Sequence, residues 1–404
     1  MDLDAFLTLL TPRGQQALAE AEALLAEGGD EVRAATTMRR SHDTATTSAA
    51  LTQAALRRRA SRKFGADAGR MYFTAEGLEQ ATRAEVADHR ARRVAALGQG
   101  GGVADVCCGI GGDLIAFARH GCAVDAVDLD PLTAAVARAN AEALGLTGVR
   151  VRRADAADVD PAAYGVVFAD PARRRRSGSR IFDPLAYSPP WPAVLELTGS
   201  AAAACVKAAP GLPYEFVPDG AEVEWVSFGG EVKEAVLWLG GFLPGHGPQL
   251  TRRATLLPYG ETLTGVGAPR RAETGPIARY LYEPDGAAIR AGLVAEVADL
   301  VGGRLLDPNI AYVTGDDAVD TPWASGYEIS EVLPFSGKRL RAALRERHVG
   351  ELTIKKRGSA VDVERLRKDL RLSGDRSAVV VLTRIVDKPY AMICAPMRNP
   401  AVHG

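Results

Sequence analysis

The chain is 404 residues long, more than one hydrophobic core usually serves, so two or three domains are the starting expectation. It is 47% hydrophobic and 25% charged with a formal net charge of -1, a globular composition whose overall charge argues neither for nor against a polyanionic partner. Five cysteines without a CxxC pair or a zinc-type His/Cys spacing point to a reduced, cytoplasmic protein without a metal, and the absence of a basic leader or an apolar run near about 18 residues predicts neither signal peptide nor membrane span.

Residues 1–97 read as helical. "RGQQALAEAEALLAEG", "TSAALTQAALRRRASRKF" and "LEQATRAEVADHRARRVAAL" carry apolar residues at helical spacing, and the glycine run "GQGGG" ends the pattern. From Val103 short apolar runs alternate with helices: "VADVCC", "CAVDAVDL", "VRVRR", "YGVVFA" and "AAAACVKA". That rhythm predicts a parallel sheet covered by helices across residues 98–258, closed by the strand-like runs "AEVEWVSF", "EAVLWLGG" and "RRATLLP". Residues 259–327, rich in glycine and proline, read as a connector with one helix, "AAIRAGLVAEVADLVG". Residues 328–404 then read helix, strand, helix, strand, strand, enough for a small α+β domain.

The chemistry concentrates at the strand ends. "VADVCCGIGGDLIAFARHG" places Cys107, Cys108, Gly109, Gly111, Gly112 and Asp113 in a loop between the first strand and a helix, where glycine lets backbone approach a ligand and a helix start offers free N–H groups. Asp128 follows at the end of the second strand with Leu129 beside it, placed to accept the hydroxyls of an adenosine ribose. The loop departs from the dinucleotide G-x-G-x-x-G pattern, and Asp105 sits in the first strand just ahead of it. A carboxylate there suits an ammonium better than a pyrophosphate, which favours S-adenosylmethionine (SAM) over NAD. Asp155 and Ala156 follow the third strand, where an adenine amino group would lie. The competing reading is that these acids cap helices and turns.

Together these residues resemble the class I SAM-dependent methyltransferases, and among them the trimethylguanosine synthase branch. Thr82, Ala87 and His89 on the entering helix and the Asp105, Cys108, Gly109, Gly111, Gly112 loop match that branch. The C-terminal portion resembles the THUMP-like domain of a group of bacterial methyltransferases. The resemblance implies an α/β Rossmann-like fold with an N-terminal helical region, SAM as cofactor and an RNA substrate, tRNA or rRNA. It also implies an acceptor site at the end of the fourth strand, where amine-methylating relatives carry [DNS]-P-P-[YFW].

Here that site reads "DPAR": Asp170 and Pro171 are kept, Ala172 and Arg173 replace the second proline and the aromatic. The stacking surface would have to come from Arg173, or from Tyr187 and Trp191 downstream. Arg174, Arg175, Arg176 and Arg180 continue a positive cluster suited to phosphate, and Lys355 and Lys356 lie in a tail with 13 Lys/Arg against 6 Asp/Glu between Lys338 and Arg376. "LRRRASRKFG" is a second cluster with an exposed helix face as its alternative. Arg70, Tyr72, Phe73 and Thr74 stand as candidates to meet ligand or to pack. Cys205, in an alanine-rich strand, reads as core rather than nucleophile.

Overall fold

The computed structural model describes residues 1–26, 30–97, 100–172, 183–243 and 249–397. The chain divides into two compact units, one of Met1–Glu222 with Ala235–Pro248, the other of Val223–Glu234 with Gln249–Gly404.

The first unit opens with six helices: α1 (Leu3–Leu10), α2 (Pro12–Ala26), α3 (Glu31–Met38), α4 (Thr44–Phe64), α5 (Ala75–Gln80) and α6 (Ala84–Ala96). The longest, α4, starts where Asp43 accepts from the Thr46 N–H at 2.9 Å and stops at Gly65, whose φ of 54° few other residues adopt. The periodicity predicts one helix up to Leu97, but the chain breaks between α5 and α6, leaving Thr82 outside both. Lys63 closes the first of these, its ammonium donating to the Leu78, Glu79 and Ala81 carbonyls at 2.7 to 2.9 Å.

The alternating half follows as β1 (Val103–Val106), α7 (Gly112–Arg119), β2 (Val124–Asp128), α8 (Pro131–Ala143), β3 (Val149–Arg153), β4 (Val166–Ala169), α9 (Trp191–Gly199) and β5 (Ala203–Ala208). Two further strands, β6 (Glu222–Phe228) and β7 (Glu231–Gly240), contain two of the three points at which the chain passes between units. Within the first unit the sheet order is β3-β2-β1-β4-β5-β7, parallel except for β7, which runs antiparallel to β5. The order reverses direction between β1 and β4, and open α/β sheets bind ligands at the C-terminal strand ends beside such a switch point. One hydrophobic cluster runs from Phe6 in α1 through Phe73 and Phe117 to Phe168, Cys205 and Trp238, so helices and sheet share a core.

The second unit holds the antiparallel pair β8 (Thr251–Leu257) and β9 (Glu261–Val266). It continues with β10 (Tyr280–Pro284), α10 (Gly286–Arg290), α11 (Val294–Leu300), β11 (Arg304–Asp307), β12 (Ile310–Gly315), β13 (Ala324–Pro334), α12 (Gly337–Glu346), β14 (Val349–Lys356), α13 (Val363–Leu370), β15 (Arg376–Ile385) and β16 (Lys388–Pro396). The span expected to be a connector therefore carries strands, and its single expected helix is two, broken at Gly292 with φ 63°. A seven-stranded sheet of order β11-β12-β10-β13-β16-β15-β14 packs α12 and α13 on one face, through Leu340, Leu344, Leu366 and Leu370. Among the described residues no helix is long and apolar enough to cross a membrane.

Candidate active site

The turn after β1 is tight. Cys107, Gly109 and Gly111 take φ of 66°, 57° and 88°, and Cys107 does so without glycine's freedom. A Cβ at Gly111 would lie 3.4 Å from Leu114 and 3.6 Å from Ala137, whereas one at Gly109 would meet nothing within 4 Å. The open side of the loop is therefore at Gly109, where a ligand can approach backbone. Behind the loop, Asn140 of α8 donates to the Ile110 carbonyl at 2.8 Å and to the Tyr72 carbonyl at 3.0 Å, while its oxygen accepts the Tyr72 N–H at 2.6 Å. Gln53 pairs in the same way with the Phe73 N–H and carbonyl, at 2.8 and 2.9 Å. The 71–74 segment is thus clamped by two buried amides. Neither amide stands out in the sequence, where the only signal is a polar residue inside an alanine-rich helical run.

The acids at the strand ends differ in how they are satisfied. Asp128 accepts from the Gly109 N–H at 3.0 Å on one oxygen and the Asp130 N–H at 2.9 Å on the other, and each oxygen keeps a lone pair. Burial raises its pKa against those two N–H donors. Leu129 beside it is exposed. Asp155 accepts from the Ala157 N–H at 3.0 Å and caps the short turn that starts at Ala156, as the capping alternative anticipates for one of its oxygens.

Asp105 is the anomaly. It is fully buried in β1, and neither carboxylate oxygen has a hydrogen-bond partner among the described residues. Burial first, then Asp170 and Asp128, push its pKa up to about 8, against Arg90 and Lys207. A buried carboxylate without donors is costly, and a ligand that brings a positive charge to it would offset that cost. The open cradle at Gly109 and the orphaned Asp105 both fit such a ligand.

Asp170 ends β4 next to β1, and its carboxylate Oδ2 accepts from the Lys207 ammonium of β5 at 2.5 Å. Lys207 is buried and also donates to the Thr82 hydroxyl at 2.8 Å. That hydroxyl gives its own proton to Asp113 Oδ2 at 2.8 Å, and Asp113 Oδ1 takes the Arg90 guanidinium, which lies 5.1 Å from the centre of the Phe168 ring. Thr82 and Asp113, expected at the cofactor, are therefore engaged with Arg90 and Lys207. Lys207 and Arg90 are not evident in the sequence; the available signal for Lys207 is one cation inside "AAAACVKA".

The remaining candidates divide. Burial, followed by neighbouring carboxylates, raises the pKa of Cys107 and Cys108 well above the ordinary thiol range, so backbone and not thiolate is offered there. Cys205 is fully buried in β5. Pro171 is buried, and Ala172 bridges to Ser188, with N–H to carbonyl distances of 2.8 and 3.1 Å. Tyr187 and Trp191, considered as a cover for a base, are both buried, and the Trp191 N–H donates to the Phe216 carbonyl at 3.0 Å. Tyr72 is also buried, whereas Arg70 is exposed and donates to the Ala143 carbonyl. Arg173, Arg174, Arg175, Arg176 and Arg180 lie outside the described residues. In the second unit Lys355 pairs with Glu283 at 3.1 Å and Lys356 donates to the Val361 carbonyl at 3.1 Å.

Comparison with known proteins follows the same lines. A family model described as a methyltransferase domain matches residues 103–171, one described as THUMP domain-like matches 324–396, and one described as a domain of unknown function matches 2–60. Two proteins from strains of Mycobacterium tuberculosis, both called uncharacterized S-adenosylmethionine-dependent methyltransferases, are 39% identical over 358 residues, covering 85% of this chain and 95% of each relative. A crystal structure of a candidate methyltransferase from Porphyromonas gingivalis W83 shares the fold with a TM-score of 0.75 at 21% identity, covering 95% of this chain and 99% of that one. The chain belongs to the SAM-dependent methyltransferases, with SAM as its cofactor and a THUMP-like C-terminal domain.

Proposed function

We propose that this enzyme methylates RNA in the cytoplasm, tRNA or rRNA, moving the methyl of SAM to a base amine by direct in-line displacement. The observation that carries the reading is Asp170. It stands at the C-terminal end of β4 beside the glycine loop, with Oδ2 fixed by Lys207 and Oδ1 without a partner among the described residues, ready to accept from an N–H. Holding an amine in line with an electrophile accounts for most of such catalysis, and the proton is lost after transfer.

When bound, SAM supplies an electrophilic methyl on a sulfonium. Asp105 would hold its ammonium, the Cys107, Cys108 and Gly109 to Gly112 backbone its methionine portion, Asp128 its ribose, and Leu129, Asp155 and Ala156 its adenine. Thr82 and Asp113 act from behind, through Lys207. Pro171 stiffens the acceptor turn, and Arg173 is the plane that would lie on the base. Arg174, Arg175, Arg176 and Arg180 would meet phosphate. The THUMP-like match over 324–396 supports RNA as the substrate.

Nucleoside mass spectrometry on RNA from wild-type and gene-deleted cells tests the reading, together with calorimetric SAM titration. A methylated base amine should vanish on deletion, and Asp170→Ala should not restore it while binding SAM as the parent does. A full nucleoside complement in the deleted strain would overturn the RNA reading.

A further inference from the structure

We propose that Lys207 is a positioning residue for methyl transfer, one that orients the carboxylate Asp170 offers to its acceptor; this rests on the acceptor role proposed above for Asp170. Lys207 is an ammonium in a strand whose every residue is buried, and lysine is seldom found there without a specific partner. Its partners form a chain with one consistent direction of donation. Arg90 and Thr82 donate to Asp113, Lys207 donates to Thr82 at 2.8 Å, and Lys207 donates to Asp170 at 2.5 Å. Because the Thr82 proton is already given to Asp113, its oxygen can only accept, which fixes where the Lys207 ammonium stands.

The members come from α6, the break before it, α7, β5 and the residue after β4, so the acceptor carboxylate is tied to two helices and two neighbouring strands of the first unit. Their formal charges, two cations and two anions, cancel, so the network itself leaves Asp105 without a partner for a cationic cofactor to meet. With Oδ2 held by Lys207, Oδ1 is the oxygen of Asp170 without a partner among the described residues, and its direction is set by the contact on the other oxygen.

The test uses the full chain with Lys207→Met, which keeps length and removes the donors. Transfer of labelled methyl from SAM to RNA from gene-deleted cells should lose on the order of a hundredfold in kcat, with the KM for RNA and the affinity for SAM within about threefold, since neither contact is made by Lys207. In thermal unfolding of the SAM-bound protein, Lys207→Met should lower Tm, and adding Asp170→Asn should recover most of the loss, because no carboxylate is then left unpaired. Additive Tm changes, or a kcat loss matched by the loss of SAM affinity, would overturn the proposal. A parent protein that methylates none of this RNA overturns the substrate reading instead, and the unfolding cycle still decides whether Lys207 acts through Asp170.

Discussion

The buried ionic network behind Asp170 in the first unit and the ionic side chains of the C-terminal helices are built to different rules. Arg90, Asp113 and Lys207 are almost wholly buried, each with a named partner, and Asp105 is buried with none among the described residues. On α13 the pair Arg365 and Asp369 is 3.9 Å apart with side chains 82% and 71% exposed, and Lys338, Arg339, Lys368, Arg371 and Arg376 are exposed and make no ion pair among the described residues. An exposed pair contributes about 0 to 1 kcal/mol, whereas breaking a buried one costs about 3 to 5 kcal/mol. Buried charges therefore report on geometry the site depends on, and exposed ones on the field a partner feels.

The sharpest way to break this comparison is Arg90→Met. It leaves Asp113 buried with only the Thr82 hydroxyl and removes the cation over Phe168. Denaturant unfolding should lose about 3 to 5 kcal/mol. A loss near that of an exposed pair would mean that the Arg90–Asp113 contact is incidental.

Asp105 is next. Its pKa of about 8 exceeds the ordinary carboxylate value, so the ligand-free fold binds the proton more tightly than the unfolded chain does, and stability falls as pH rises from about 4 towards 8. Asp170 and Asp128 face it as anions, Arg90 and Lys207 as cations. A bound ammonium favours the carboxylate form, so SAM binding should release a proton and tighten by up to about tenfold per pH unit below 8. Above that the ligand's own α-amino group begins to deprotonate, and affinity should pass through a maximum. Calorimetry in two buffers of different ionisation enthalpy reads the proton directly. In Asp105→Asn the release should disappear and SAM affinity drop on the order of ten- to a hundredfold; persistence of the release would place the proton elsewhere.

What could be read from sequence follows the range of the interactions. The glycine loop, Asp128 and Asp170 were legible because strand, turn and helix signals sit within a few residues of each one. Lys207 was not, since the carboxylate that explains it is 37 residues away on a neighbouring strand. The break at Thr82 was masked by apolar spacing that continues through it, and it is closed by Lys63 from another helix. Strands β10 to β12 were hidden by glycine and proline, because a strand inside a sheet takes its hydrogen bonds from distant partners and shows only a short apolar run. Lys355 looked free for a phosphate; its partner Glu283 lies on β10. Motifs set by local backbone were recoverable, and charge pairs made by tertiary contact were not.

The smallest expected effect belongs to the exposed helices. Of the cations between Lys338 and Arg376, Lys355 and Arg357 share Glu283, Arg347 pairs with Glu331, and Arg367 donates to the Leu352 carbonyl. Those contacts hold the sheet and leave Lys338, Arg339 and Lys368 as the exposed cations within α12 and α13 that can meet phosphate without giving up a partner among the described residues. Neutralising all three to Gln should leave folding and SAM binding at parental values, because no buried group is deprived of a neighbour. RNA affinity should weaken severalfold at low salt, and the slope of log K against log salt should flatten by roughly 0.7 to 0.9 for each phosphate that is no longer neutralised. An unchanged slope would make these helices an ordinary solvated face, and would move the search for the RNA-binding surface to the arginines that follow Asp170.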